Sequence, residues 1–247
     1  AFAPILLTVS PTPSFDTTKP LSLRQILRIS PLGCVGMLLT GGVFAAQFGM
    51  AAIYGSQAGL SVGQISIFVS AFYVAAVVAQ YPLGWLSDRM DRRLLIAIVS
   101  LITAIGAVIG MVLGANFWFL LLAAALVGGT SNPLYSMLMA HTNDFLDLDD
   151  MAAAAGGMVF INGLGAIVGP LMVGWMMGVM GPGGYFLYIA ILMVALVAYA
   201  IYRMTQRAVP DGSAADGVAP VMPSSSPLAL EYAQEVAIEA TERDKSA

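Results

Sequence analysis

The sequence predicts an all-α membrane protein with six transmembrane helices, and three observations support this. Hydrophobic residues occupy 59% of the 247 positions, and the mean hydropathy is +0.85. Charged residues occupy only 10%, whereas soluble domains carry roughly 25%. The apolar residues form continuous runs rather than the alternating pattern of a membrane β-barrel. A chain with so few charged residues cannot cover a globule of this size with a solvated surface. Its surroundings are therefore predicted to be lipid.

Six apolar runs are near or above the ~20 residues that cross ~30 Å of hydrocarbon. They are placed at residues 32–54, 65–86, 94–114, 117–140, 151–180 and 185–202, within a transmembrane domain of residues 32–203. These six runs are called spans one to six below.

The segments outside the spans have their own predictions. Residues 1–9 resemble a signal-peptide core but lack a basic segment and a starting methionine, so they are interpreted as the end of a preceding transmembrane helix. Residues 10–31 are predicted to be a cytoplasmic linker with a short interfacial helix capped by Ser22. Residues 204–247 are predicted to be a flexible cytoplasmic tail, with a weak helix around 228–242. The chain is therefore expected to be the C-terminal part of a longer protein.

The basic residues near the spans all fall on one side of the predicted membrane. They are Lys19, Arg24 and Arg28 before span one, Arg89, Arg92 and Arg93 after span two, and Arg203 and Arg207 after span six. The loops on the opposite side carry no charge. The positive-inside rule then predicts that both ends of this fragment face the cytoplasm. The expected location is a bacterial cytoplasmic (inner) membrane, crossed several times.

Charge is concentrated in the stretch "GWLSDRMDRR", which joins spans two and three. Five of the six residues from Asp88 to Arg93 are charged. One interpretation is a topological anchor that holds both helix ends at the interface. A second interpretation follows from the order of residue types, because an acid followed by arginines can form bidentate pairs that a merely positive loop does not need.

This stretch resembles the motif Gly-x-Leu-x-Asp-Arg-x-Gly-Arg-Arg/Lys, found between the second and third helices of each half of a major facilitator superfamily transporter. The matching residues are Gly84, Leu86, Asp88, Arg89, Arg92 and Arg93. Asp91 stands where the family has its second glycine. The resemblance implies that spans one to six are helices seven to twelve, one half of a twelve-helix bundle. It also implies that Gly84, Asp88, Arg89, Arg92 and Arg93 act as a gating motif against the other half.

Polar side chains inside the spans are the candidates for a substrate cavity. They are Gln47, Gln80, Asn132, Tyr135 and Asn162, in spans one, two, four and five. Polar groups in lipid usually face protein or a cavity, so spans three and six are expected to lie outermost. For each amide, a hydrogen bond between helices remains the alternative. No acidic or basic residue lies deep in a span, so this half offers no coupling residue and no site for a strongly ionic substrate.

Glycines recur at four-residue spacing, which places each series on one helix face. The series are Gly106, Gly110 and Gly114, then Gly165 and Gly169, then Gly174 and Gly178. Pro170 lies among them and permits a bend. The stretch "GAIVGPLMVG" is predicted to serve packing and bending. It also resembles the glycine-proline motif of family antiporters, which leaves an antiporter role open.

The cluster "HTNDFLDLDDM" contains one histidine and four aspartates, a composition that metal sites share. The simpler interpretation is that Asp149 and Asp150 begin span five and oppose the positive end of its helix. His141 is expected to be a surface histidine at the interface. No metal or other cofactor is predicted, and Cys34 alone cannot form an internal disulfide.

The predicted function is secondary active or facilitative transport of a small solute by alternating access, with efflux as one direction. No enzymatic activity is predicted, because no nucleophile or metal-ligand spacing occurs. No Walker loop occurs either, so ATP-driven transport is not supported. The expected partners are the lipid bilayer, an N-terminal six-helix half and the solute, with no nucleic acid. A membrane assembly subunit is the first alternative, and a polytopic membrane enzyme based on His141 and Asp144 is the second.

Overall fold

The computed structural model describes residues 21 to 206. Within that range the chain forms eight α-helices, one π-helical segment and no strand. The α-helices are α1 (Leu23–Ile29), α2 (Pro31–Phe44), α3 (Ala51–Gln57), α4 (Val62–Ser87), α5 (Arg92–Leu113), α6 (Phe117–Asn143), α7 (Leu148–Met180) and α8 (Gly183–Gln206). The π segment, Ala45–Met50, joins α2 to α3 within the first span.

Six helices in the described range are long and apolar enough to cross a membrane, which confirms the predicted number. The first is Pro31–Gln57, and the others correspond to α4 to α8. The predictions for residues 1–9 and for the tail beyond residue 206 lie outside the described range. Residues 10–20 of the predicted linker lie outside it as well. The short helix capped by Ser22 is present as α1, with Ser22 and Gln25 forming a capping box at its start.

Most spans are longer than predicted because polar caps extend them past the apolar run. The Ser61 hydroxyl accepts the Gln64 backbone N–H, so α4 begins at Val62. The Asp91 side chain accepts the Arg93 N–H, so α5 begins at Arg92 rather than at residue 94. Such caps satisfy backbone groups that a helix leaves without an internal partner. The predicted bounds followed hydropathy alone and therefore stopped short.

The spans pack unevenly against one another. α5 packs against α6 and α8, α4 packs against α6, and α2 packs against α7. Only 11% and 17% of the most apolar stretches of α4 and α7 are buried, against 50% to 61% in the other spans. Within this chain the most exposed spans are two and five. That spans three and six lie outermost in a complete transporter stays a prediction, because a second half would cover other spans.

Close packing of α2 on α7 depends on glycine, as the four-residue spacing predicted. A Cβ at Gly165 would overlap the Leu38 carbonyl oxygen, and one at Gly169 would lie 2.5 Å from the Ala45 Cβ. In α5, a Cβ at Gly106 would lie 2.7 Å from the Leu126 Cβ. These glycines let the two helix backbones approach closely.

The remaining members of the glycine pattern differ in their surroundings. A Cβ at Gly110 would lie 2.6 Å from the Phe186 ring, so Gly110 also packs between helices. Gly114 caps the end of α5 and faces the Gly110 carbonyl of its own helix. Gly174 and Gly178 are exposed. Pro170 is exposed inside α7, which continues as an α-helix on both sides of it.

Candidate functional site

The π segment places an amide side chain in the middle of the bundle. Gln47 is 2% exposed, and its Nε2 donates a hydrogen bond to the Ser131 Oγ of α6 at 2.6 Å. The Asn132 Nδ2 donates to the Gln47 Oε1 at 3.4 Å and to the Gly128 carbonyl at 3.0 Å. Two of the predicted cavity residues therefore meet, and we call Gln47 and Asn132 the amide pair. π segments occur frequently at functional sites.

A row of four aromatic rings runs beside the amide pair and joins three spans. Tyr135 of α6 stacks on Phe44 of α2 with ring centroids 6.2 Å apart. Phe44 contacts Phe48 of the π segment at 5.4 Å, and Phe48 stacks on Tyr73 of α4 at 5.6 Å. We call these rings the aromatic row. Tyr135 was predicted as a cavity residue, and the other three were not.

The exposed surface of α4 consists of two parallel stripes of different chemistry. One stripe, the polar stripe, contains Ser66, Ser70, Tyr73, Val77, Gln80 and Gly84, all exposed and spaced three or four residues apart. The other, the apolar stripe, contains Ile67, Val74, Val78, Tyr81 and Trp85, also all exposed. Residues at this spacing share one face of a helix. The polar stripe is therefore a continuous surface distinct from its apolar neighbour.

The polar stripe leads into a cleft between α4 and α6. The cleft has a volume of about 230 Å³, and its lining includes Gln80, Gly84, Asp88 and Ser136. Gly84 has no atom within 4 Å of the position that a Cβ would take, so its surface is open. The predicted cavity residue Gln80 thus lies with the charged connection of residues 88–93, which we call the charged hairpin, rather than with the amide pair.

Asn162 lies apart from the other predicted cavity residues. Its Nδ2 donates to the Met37 carbonyl at 3.0 Å, where α7 packs on α2. This contact is the hydrogen bond between helices that was the alternative for each amide.

The charged hairpin is held to α6 by Arg92. Its guanidinium forms an ion pair with Asp144 and donates to the Ala140 carbonyl at 3.4 Å. The Asp88 carboxylate lies 3.8 Å from the Arg92 Nη2 and is 72% exposed. The predicted pairing between acid and arginine is therefore present, but Asp144 makes the closer contact with Arg92.

The other hairpin residues contact their own helices. The Arg89 guanidinium lies 4.1 Å from the centre of the Trp85 ring and donates to the Trp85 carbonyl at 3.2 Å. The Asp91 side chain accepts the Arg93 backbone N–H at 2.8 Å and caps α5. The residue that departs from the family's glycine therefore has a local role in starting the helix.

His141 was expected at the surface, and this prediction is wrong. Its side chain is buried at 5% exposure and makes an edge-to-face contact with the Phe145 ring at 5.2 Å. Arg93 is equally buried and lies 5.9 Å from the same ring. Phe145 follows α6 and folds over His141, which hydropathy could not indicate. Within residues 21 to 206, no group of histidine, cysteine or carboxylate side chains could hold a metal ion.

Asp149 and Asp150 lie in the first turn of α7, as predicted, and Asp147 is its N-cap. Ser131, the aromatic row and the contact of Asp144 with Arg92 were not predicted from the sequence. The spacing of Ser66, Ser70, Tyr73, Gln80 and Gly84 was a usable signal for the polar stripe. The contacts made by Ser131 and Asp144 join positions distant in the sequence, and no local pattern indicates them.

Comparison with known proteins identifies the class to which this fold and site belong. The family model of the Major Facilitator Superfamily matches residues 32–236. The chain is 23% identical over 171 residues to the uncharacterised MFS-type transporter YcaD of Escherichia fergusonii, covering 68% of this chain and 43% of that protein. It is 24% identical over 209 residues to an MFS-type transporter of Yersinia pestis, covering 84% and 52%. It is 26% identical over 193 residues to YfkF of Bacillus subtilis, covering 74% and 47%.

Solved structures show the same fold. An auto-inhibited POT family peptide transporter superposes with a TM-score of 0.62 at 17% identity, covering 82% of this chain and 39% of that one. The POT family transporter PepTSo superposes with a TM-score of 0.62 at 14% identity, covering 90% of this chain and 48% of that one. The chain belongs to the major facilitator superfamily. It spans about half the length of the curated relatives that it matches.

Proposed function

We propose that this chain is one six-helix half of a transporter that moves a small solute across the membrane by alternating access. The observation that carries the proposal is the pair of stripes on α4. Polar groups within a membrane usually face protein or a water-filled cavity. The polar stripe therefore lines the solute pathway, and the apolar stripe beside it faces lipid.

A second six-helix half forms the other wall of the pathway. The two least buried spans, α4 and α7, are the surfaces that such a half would cover. One face of α7 carries the exposed small residues Ala152, Gly156, Pro170, Gly174 and Gly178, with the exposed Val159 and Ile167 between them. Small residues allow close approach of another membrane helix. The greater length of the relatives supports the same arrangement, and alternating access follows from rocking of two halves about a central site.

The test of transport uses the complete protein, meaning this chain joined to the second half, reconstituted in liposomes. We expect saturable flux for at least one member of a panel of labelled solutes. The present chain alone, reconstituted at the same density, is expected to insert without transporting. Saturable flux through the chain alone, as a monomer, would contradict the two-wall arrangement. Absence of flux across the whole panel for a well-folded complete protein would favour the assembly-subunit function instead.

The hairpin is proposed to gate the pathway on the cytoplasmic side, which both chain ends also face. Asp88 is exposed and free to meet a helix start of the second half, where a carboxylate contributes ~0.3–2 kcal/mol. Such a contribution shifts two near-equal states several-fold. We expect Asp88→Asn in the complete protein to lower transport and raise labelling from the cytoplasmic side, with substrate binding retained. Met90→Ala is the matched control from the same turn and should change neither quantity. Unchanged transport and labelling in Asp88→Asn would leave the hairpin as a topological anchor only.

A further inference from the structure

We propose that the solute is an uncharged molecule with an aromatic ring and a hydrogen-bonding group, bound against the aromatic row beside the amide pair. This inference rests on the transport function proposed above and adds the chemical class of the substrate. Three properties of the described residues support it: the rings, the polar groups next to them and the absence of charge.

The aromatic row presents ring surface to the proposed pathway. Phe48 is 50% exposed and Tyr73 is 49% exposed. Tyr73 belongs to the polar stripe of α4, so this end of the row lies on the surface that we assign to the pathway. Two contacts in the row are near-parallel, at 28° for Phe44 with Tyr135 and 22° for Phe48 with Tyr73. A further ring can extend such stacking at centroid distances of about 4.5–7 Å, a contact that adds to the free energy gained from its buried area.

Polar groups with unused hydrogen-bonding capacity flank the rings. Asn132 is half-buried, and its Nδ2 donates to Gly128 and Gln47, but its Oδ1 accepts no hydrogen bond from the described residues. The hydroxyls of Tyr73 and Tyr135 likewise form no hydrogen bond with any residue between 21 and 206. One acceptor and two hydroxyls are therefore available to orient a solute. A few placed polar groups in a mostly apolar site are typical of small-molecule binding.

The charge distribution favours a neutral solute. No acidic or basic residue occurs in residues 31–87 or 117–140, which include every residue of the row and the amide pair. An ion bound here would lose its hydration without gaining a counter-charge from this half. Rings can attract an organic cation, but this attraction is weaker than the cost of the lost hydration. A polyol would need many hydrogen bonds, and the Asn132 oxygen and the two tyrosine hydroxyls can supply only a few of them.

The test measures binding separately from transport. In the complete protein with Cys34→Ser, a single cysteine is introduced as Gly49→Cys, since Gly49 adjoins Phe48 and a Cβ there would meet no atom within 4 Å. The rate of maleimide labelling in detergent is measured with 2-naphthol, with tetraphenylphosphonium and with glucose. We expect 2-naphthol to slow labelling about tenfold, equivalent to about 1.4 kcal/mol, and the other two compounds to have no effect.

Two variants test whether protection from labelling depends on the aromatic row. Phe48→Leu should remove the protection by 2-naphthol, and Tyr73→Leu should weaken it, with the unfolding midpoint recorded for both. Trp118→Leu is the matched control, because Trp118 is 77% exposed and lies at the start of α6, outside the row. Protection that survives both Phe48→Leu and Tyr73→Leu would reflect partition into detergent and would overturn the proposal.

The remaining outcomes separate the substrate class from the transport function. Protection by tetraphenylphosphonium or glucose without protection by 2-naphthol overturns the substrate class and leaves transport intact. Labelling unaffected by all three compounds, in a protein that transports a solute from the liposome panel, also overturns the class alone. Failure of the liposome panel itself counts against transport, whatever the labelling shows.

Discussion

Arg92, in the first turn of α5, forms an ion pair with Asp144 at the end of α6. The two residues are separated in the sequence by nearly the whole of α5 and α6. Their contact fixes the charged hairpin to the bundle, while Asp88 stays largely exposed on the other side of the guanidinium.

The first prediction concerns this ion pair. Its side chains are 26% and 39% exposed, and exposed pairs contribute about 0.2–1 kcal/mol. We expect Arg92→Gln and Asp144→Asn each to lower the unfolding midpoint of the protein in detergent. The double variant should show a coupling energy within the same range of about 0.2–1 kcal/mol. Asp147→Asn is the control, since coupling between Arg92 and Asp147 should be near zero. Strictly additive effects of Arg92→Gln and Asp144→Asn would show that the contact contributes nothing.

The second prediction concerns the packing of α2 on α7. Gly165→Ala places a methyl group against the Leu38 carbonyl, which backbone atoms cannot easily avoid. We expect a destabilisation of about 1–3 kcal/mol, measured by thermal or denaturant unfolding. Gly63→Ala is the matched control, because no atom lies within 4 Å of its Cβ position. Equal stability of the two variants would mean that the helices can separate without cost.

The third prediction distinguishes the two stripes of α4. In a Cys34→Ser background of the complete protein, Ser70→Cys lies on the polar stripe and Val78→Cys on the apolar stripe. We expect a membrane-impermeant maleimide to label Ser70→Cys about tenfold faster, a difference of about 1.4 kcal/mol in activation free energy. Lipid excludes the reagent from the Val78 side. Similar labelling of both cysteines would indicate that the polar stripe does not line a water-filled pathway.

The fourth prediction separates binding amides from packing amides. Asn132→Ala in the complete protein should weaken apparent substrate affinity, because its carboxamide oxygen is available to the solute. Gln47→Ala leaves the buried Ser131 hydroxyl without this partner, and we expect it to lower stability by about 1–3 kcal/mol as well. Asn162→Ala should affect stability alone, since Asn162 binds the Met37 carbonyl. If all three variants keep the original affinity, the amides serve packing only.

Local sequence patterns predicted the secondary-structure elements of this protein better than the contacts between those elements. Continuous apolar runs were sufficient for the six spans, because lipid imposes one length and one composition on every membrane helix. The glycine spacing likewise predicted the close contacts of Gly106, Gly110, Gly165 and Gly169. Gly114 follows the same spacing but ends its helix, so the pattern alone does not separate packing from capping.

The environment of exposed helices could not be predicted from hydropathy. A face that meets lipid, a cavity or another half can be equally apolar on average, and α4 presents two different faces side by side. His141 was assigned to the surface because it follows an apolar run, yet Phe145 and Arg93 enclose it. Such enclosure depends on the position of the chain after the helix ends.

The π segment has a consequence for the register of the first span. A π turn holds one more residue than an α turn over the same stretch of axis, so Ala45–Met50 acts as a one-residue insertion between α2 and α3. The residues before the segment keep the orientation that packs α2 on α7. Compared with a continuous α-helix, the residues after it are rotated about the helix axis by about 100°, the angle of one α-helical residue. Deleting Gly49 would convert the span into a continuous α-helix and turn Tyr54 away from Phe68 and Tyr185, whose rings it contacts at 5.5 Å and 4.9 Å. The π segment therefore lets the two ends of the span have different rotations about the helix axis. One end is oriented for the contact with α7, and the other for the aromatic packing at the far end of the bundle.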